Sequence, residues 1–205
     1  MAILRRTLLG SIGASIALSG CADFMTSRAD IIDVSAPRSA TNGTLRLGAL
    51  VLPCMLGRSG ILDQKREGDG ATPAGSFALR EARYRPDRLS APSTKGLPVI
   101  ATRETDGWCD EPKDPAYNRL VQLPYNASAE KMWRDDDLYD VLAVIGYNDS
   151  PPIPGLGSAI FLHVARVGET GQLAPTVGCV SLRQDHLLSV LAQCTPTTTI
   201  RIHVI

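Results

Sequence analysis

The sequence predicts a mainly β domain with a few short helices. Apolar runs of strand length recur along the chain, turn residues separate them, and one stretch near the C-terminus carries a helical stripe. No internal repeat interrupts this pattern. A signal peptide is expected over 1–20, an N-terminal tether over 21–43 and one folded domain over 44–205, long enough to bury a proper core.

Taken in order, Thr44-Leu-Arg-Leu-Gly-Ala-Leu-Val-Leu52 alternates and then turns continuously apolar, which predicts a strand, with another near Cys54–Leu56. Gly68-Asp-Gly-Ala-Thr-Pro-Ala-Gly75 reads as a loop, because glycine permits positive φ and proline fixes φ. Ser76–Arg80 leaves that loop as a strand. Residues 84–130 are proline-rich with little periodicity and are expected as long loops over the core. Trp133-Arg-Asp-Asp-Asp137 reads as a salt-bridged turn or short helix. Asp140–Gly146 is a buried strand and Gly157–Arg166 another, in which period two puts Ala159, Phe161, His163 and Ala165 on one face. Ser181-Leu-Arg-Gln184 fits a capping box ahead of a helix striped by Leu187, Leu188 and Leu191. Thr198–Ile205 closes the chain as an alternating strand.

The chemistry concentrates in two of these pieces. His163 ends Ala-Ile-Phe-Leu-His, and sixteen residues later comes Cys179, in Thr176-Val-Gly178-Cys179-Val. A free thiol has a pKa of about 8.5 and is only a few per cent thiolate at pH 7, so a nucleophilic cysteine needs a base nearby. Histidine supplies one without a metal or cofactor. Gly178 lets backbone approach a substrate closely, and the amides of Gly178 and Cys179 are candidate oxyanion donors. The opposing reading is a space-filling cysteine and a hydrogen-bonded core histidine. The pair points to a cysteine acyltransferase.

Before the domain, Arg5-Arg6 and the apolar stretch Leu8–Leu18 form an export signal too short to span a bilayer. Leu18-Ser-Gly-Cys21 resembles a lipobox, which implies cleavage before Cys21, lipidation of that cysteine and anchoring to a membrane. Ala22 in place of aspartate points to the outer membrane by the same resemblance. The paired arginines leave twin-arginine export open beside the general route. A tether of about 20 residues has an r.m.s. reach of roughly 25 Å and about 70 Å fully drawn out.

Lys and Arg number 21 against 21 Asp and Glu, and removing 1–20 takes the formal charge from +0 to −2. With no basic stripe and few aromatics, nucleic acid is excluded as a partner. Three histidines without ligand spacing argue against a metal site, and no cofactor is expected. An oxidising compartment permits one disulfide among Cys54, Cys109 and Cys194, and the sequence does not choose it.

Together, Gly68-Asp-Gly-Ala-Thr72-Pro73-Ala-Gly75-Ser-Phe77, Ala159-Ile-Phe-Leu-His163 and Thr176-Val-Gly178-Cys179-Val resemble the YkuD-type L,D-transpeptidases. The resemblance spans about 44–205. It implies a β-sandwich or barrel acting on peptidoglycan stem peptides in the cell envelope. Cys179 would form a thioester, His163 would serve as base, and the Thr176 hydroxyl would orient the histidine or substrate. An acceptor amine makes the enzyme a transpeptidase, water makes it a carboxypeptidase or hydrolase, and a non-catalytic wall-binding lipoprotein is the remaining alternative. Most relatives carry histidine before Gly-Cys and arginine or asparagine two residues after it, where this chain has Val177 and Ser181. Arg183 is the expected substitute cation, against a solvated surface reading. Tyr147 and Trp108 are expected at the substrate groove, or as cover for a core edge. His186 and His203 are read as structural.

Overall fold

The computed structural model describes residues 30–205. Fourteen strands and one helix follow in chain order. The N-terminal half runs β1 (Ile31–Ala36), β2 (Asn42–Leu47), β3 (Leu50–Met55), β4 (Ile61–Leu62), β5 (Thr72–Pro73), β6 (Gly75–Tyr84) and β7 (Val99–Ala101). Next come β8 (Asp106–Cys109), β9 (Leu120–Gln122), β10 (Ala129–Lys131), β11 (Val141–Ile145), β12 (Phe161–Val164), β13 (Val180–Leu182), α1 (Gln184–Leu191) and β14 (Thr199–Val204).

The main sheet runs β11-β12-β13-β3-β2-β1-β14-β6-β7, and β11 also pairs with β6. That last pairing closes eight strands into a mixed barrel, with β7 added outside the ring. Closure leaves few exposed strand edges, the usual liability of a β protein. The expected mainly β fold is present, as a barrel.

Two stretches read differently from the sequence expectation. Residues 31–43 are not tether: β1 pairs in parallel with β14 from Ile31↔Thr199 to Ala36↔Val204, and antiparallel with β2. Ile32 and Val34 are fully buried. A six-residue strand with isoleucine and valine facing inward is too short to stand out between polar segments. The run from Thr44 to Leu52 is a hairpin, not one strand. Gly48, at φ +55°, turns the chain between Leu47 and Leu50, a conformation glycine adopts without the Cβ clash.

Alternation along the strands separates two apolar clusters. Ile32, Leu45, Ala143, Leu162, Val180 and Ile200 belong to one cluster fed by every strand of the ring, which is the barrel interior. Leu142, Val144 and Phe161, on the opposite face of β11 and β12, join Met132, Tyr139 and Cys179 in a second cluster. The segment expected as loops, 84–130, contains the three-stranded sheet β10-β8-β9, and Trp108 on β8 packs edge-on against Phe161 at 5.2 Å. Strands of three or four residues show too little periodicity to be read from sequence.

At the C-terminal side, α1 buries Leu187, Val190 and Leu191. The capping box does not form: Arg183 occupies the N-cap without a side-chain hydrogen bond, and Ser181 lies within β13. Cys54, Cys109 and Cys194 are free, buried thiols, so no disulfide links them.

Candidate active site

β12 and β13 run in parallel with Leu162 opposite Val180 and His163 opposite Ser181. Because Leu162, Val164, Val180 and Leu182 face the interior, Phe161, His163, Cys179 and Ser181 face outward together. Cys179 and His163 therefore sit on one face of adjacent segments, and both line a cleft of about 520 Å³.

The thiol is held by backbone. The Cys179 thiol donates to the Ala159 carbonyl at 3.3 Å, and its sulfur accepts from the Phe161 N–H at 3.3 Å. Ala159 has φ +52°, an uncommon conformation for a residue with a Cβ. It is fixed by Asn118, whose Oδ1 accepts from the Ala159 N–H at 3.0 Å and from Trp108 Nε1–H at 2.9 Å. Burial pushes the Cys179 thiol up to about 12; the Phe161 N–H opposes this, the Glu130 charge adds to it, and Lys65 opposes it.

His163 Nδ1 lies 2.7 Å from the Val164 carbonyl. A carbonyl only accepts, so Nδ1 carries the proton and Nε2 keeps its lone pair. Burial holds the imidazole down to about 4, with the Val164 hydrogen bond raising it, Arg134 lowering it and Asp136 raising it. At neutral pH the resting pair is a neutral thiol and a neutral imidazole.

The remaining sequence candidates separate into those at the cleft and those behind it. Thr176 donates to the Cys179 carbonyl at 2.7 Å, and its oxygen accepts from the Gly178 N–H at 3.1 Å. The Gly178 amide, expected as an oxyanion donor, is therefore already engaged. Gly178 has φ +146°, and a Cβ there would come within 2.9 Å of the Ala71 carbonyl oxygen, so only glycine fits. The motif threonine, Thr72, donates to the same Cys179 carbonyl at 3.4 Å and accepts from the Gly57 N–H at 2.8 Å.

Arg183 is exposed beside Asp137 and Asp185 and does not line this cleft. A side chain at a helix start two residues beyond Ser181 has passed the rim. Trp108 and Tyr147 also stand outside it. Trp108 supports Asn118 from behind, and Tyr147 packs on Phe77 and donates to the Leu156 carbonyl at 2.6 Å. The Cys21 reading lies outside the described residues.

Several cleft residues escaped the sequence reading: Lys65, Glu67, Glu130, Arg134 and Tyr139. Arg134 lies in the charged run read as a salt-bridged turn. It does pair with Asp136 at 2.7 Å, and it also borders the cleft with its guanidinium 5.1 Å from the Tyr139 ring. Tyr139 donates to Glu130 at 2.7 Å and lies edge-on to His163 at 5.4 Å. These residues come from segments with no periodic pattern, so only their convergence marks them. Asp110 Oδ1 and Ser181 Oγ are buried with no protein partner among the described residues.

A closed mixed barrel with a histidine strand beside a Gly-Cys segment is the arrangement of one class of cysteine acyltransferase domains. The family model for the L,D-transpeptidase catalytic domain (YkuD) matches residues 29–202, and the chain belongs to that family. Among solved structures, L,D-transpeptidase 1 of Mycobacterium tuberculosis is similar at 15% identity and a TM-score of 0.36. That match covers 86% of this chain and 63% of the mycobacterial one, so this chain spans less than two thirds of its length. No curated protein matches the sequence.

Proposed function

We propose that this chain is a cell-envelope L,D-transpeptidase that transfers peptidoglycan stem peptides through a thioester on Cys179. The observation that carries the reading is the shared outward face of Cys179 and His163 in one cleft, with the histidine tautomer set so that Nε2 is the basic nitrogen.

The chemistry follows from that arrangement. A thiol at about 12 beside an imidazole at about 4 is not a preformed ion pair. The proton leaves sulfur for Nε2 as the sulfur bonds to the donor carbonyl, which is general-base catalysis within the transition state. The oxyanion is received by the Cys179 N–H, because the Gly178 N–H is held by Thr176. Collapse returns the proton to the leaving amine and leaves the thioester. Thr176 and Thr72, both on the Cys179 carbonyl, hold the nucleophile's backbone in position.

Arg134 and Arg166, both at the cleft, supply the cations for stem-peptide carboxylates that Arg183 was expected to supply. Glu67, Asp110 and Glu130 give the same cleft an acidic side, and the unpartnered Asp110 Oδ1 suits an ammonium group. This favours an amine over water as the acceptor. The lipid anchor at Cys21 belongs to the same reading. With β1 beginning at Ile31, the ten residues 21–30 span at most about 35 Å, half the reach of the expected tether. The domain then works close to its membrane.

The test is intact-mass analysis after incubation with a tetrapeptide stem or a carbapenem. The parent protein should gain one acyl adduct that Cys179→Ala cannot form; an equal adduct on the variant, or none on the parent, overturns the reading. Added amine should speed decay of the stem-derived adduct and yield a cross-linked peptide, whereas decay indifferent to amine would make the enzyme a hydrolase. For the anchor, Cys21→Ser should abolish palmitate labelling in cells.

A further inference from the structure

Lys65 lies in the loop between β4 and β5, in a stretch with no apolar pattern, yet its side chain is only 3% exposed. Its stem runs beneath Gly157: a Cβ built on that glycine would stand 2.9 Å from Lys65 Cε. Its ammonium lies against Gly178, 3.5 Å from where a Cβ on that residue would be, one residue before the nucleophile. Of its three N–H groups, one donates to Asp69 Oδ1 at 2.7 Å and one to the Arg66 carbonyl at 3.3 Å. No acceptor for the third is present among the described residues. Lys65 also borders the same cleft as Cys179 and His163.

Asp69 is itself committed to the loop. Besides Lys65, its carboxylate accepts from the Arg66 N–H at 2.6 Å and the Ala71 N–H at 2.9 Å. Burial alone would raise the Asp69 carboxyl, but these hydrogen bonds and the Lys65 charge hold it low. The loop therefore carries its own clamp, and the lysine is seated by that clamp beside Gly178. A buried cation beside the backbone of a nucleophile has a direct use in acyl transfer, where negative charge passes from sulfur to the carbonyl oxygen. The other amide expected to receive that oxygen, on Gly178, already donates to Thr176.

We propose that Lys65 is a catalytic residue whose free N–H donates to the oxyanion formed on Cys179, replacing the Gly178 amide as the second donor. The inference rests on the acyl-transfer reading above. In the step, the Cys179 proton goes to His163 Nε2 and the sulfur bonds to the carbonyl carbon. The carbonyl π pair moves to oxygen, which accepts hydrogen bonds from the Cys179 N–H and Lys65 Nζ. No proton passes from Lys65. When the pair returns, the C–N bond breaks, and the proton on His163 leaves with the amine.

The electrostatics agree, since Lys65 is the cation that lowers the Cys179 thiol, against burial and Glu130. A purely structural Lys65 makes a different prediction. If its task were only to hold the loop, Lys65→Met would lower the melting temperature and leave both the acylation rate per folded molecule and the pH profile of Cys179 alkylation near the parent's.

Three variants, Lys65→Met, Lys65→Gln and Lys65→Arg, are compared with the parent by melting temperature, acylation rate and alkylation of Cys179 against pH, read by peptide mass. Lys65→Met should lose about 10²-fold to 10³-fold in acylation, the usual scale for one oxyanion donor. Lys65→Gln, which keeps a donor to Asp69 without the charge, should lose at least tenfold and stands in if the methionine variant does not fold. Lys65→Arg should recover part of the rate. Alkylation of Cys179 in Lys65→Met or Lys65→Gln should shift to higher pH. The proposal is overturned if folded Lys65→Met or Lys65→Gln acylates within threefold of the parent, if Lys65→Arg is no faster than Lys65→Gln, or if the alkylation profile does not move. Alkylation needs no stem peptide, so its outcome stands even if the parent forms no acyl adduct and the functional reading fails.

Discussion

The two faces of β11 and β12 are built from the same nine residues and do opposite things. Inward, Val141, Ala143, Ile145, Leu162 and Val164 are uniformly apolar and belong to the barrel core. Outward, Leu142, Val144 and Phe161 form a smaller apolar floor, and His163 stands at its edge beside Cys179. The inner face needs only volume and hydrophobicity, which many side chains provide. The outer face must hold a thiol, an imidazole and a cleft with both charge signs, and it does so through a cover recruited from 84–140. A single period-two register thus divides folding from chemistry.

Exchanging a residue on each face gives the largest contrast. His163→Gln should lower the acylation rate by 10²-fold to 10⁴-fold, the range for a positioned base, while the protein still folds; rates from intact mass and a melting curve measure both. Leu162→Ala, one residue earlier and facing inward, should cost about 2–5 kcal/mol in urea unfolding. Its acylation rate per folded molecule should match the parent. If the two variants gave the same loss in both assays, the division between faces would be wrong.

The buried imidazole also sharpens the contrast through pH. His163 titrates at about 4 when folded against an ordinary 6.5, so the unfolded chain binds more protons between those values. Stability should therefore rise with pH from 4 to 6.5, and be lost as pH falls through that window, by up to roughly 3 kcal/mol. His163→Gln should flatten that part of the curve, which denaturation at a series of pH values would reveal. Residues elsewhere in the barrel wall should not.

A smaller effect is expected at the β1–β14 seam. Burial would raise the Asp33 carboxyl, but hydrogen bonds from Arg201 at 2.7 Å and His203 at 3.1 Å hold it below the usual range. Its contribution is present above the ordinary carboxylate pKa and is lost as pH falls through the lowered folded value. Both partners are well exposed, so Asp33→Asn should cost no more than about 1 kcal/mol near pH 7, measured by urea unfolding. A larger loss would mean that β1 is held mainly by charge and not by Ile32 and Val34.

Much of the barrel was legible because β14 alternates every two residues and β11 is an unbroken apolar run. β1 was not, since six residues between polar neighbours carry little pattern, and the Gly48 turn hid inside one apolar run. The small sheet β10-β8-β9 was invisible for the same reason. At the site, Cys179 and His163 could be picked out because their residue types are rare in that setting. Lys65, Glu130 and Arg134 could not, because a charged residue in a loop looks solvated until the fold buries it. Trp108 was conspicuous by type, yet its use is to hold Asn118 and through it Ala159.

By itself the sequence determined the alternating strands and a glycine, a cysteine and a histidine of the right kinds. Only the tertiary structure decided that β1 joins the barrel wall, that Nδ1 of His163 is the protonated nitrogen, and which distant charges surround the thiol. The reason is range: hydrophobic period and backbone strain act over a few neighbouring residues. The placement of Lys65 beside Gly178, or of Asn118 against Ala159, depends on strands far apart in the chain packing into one closed ring.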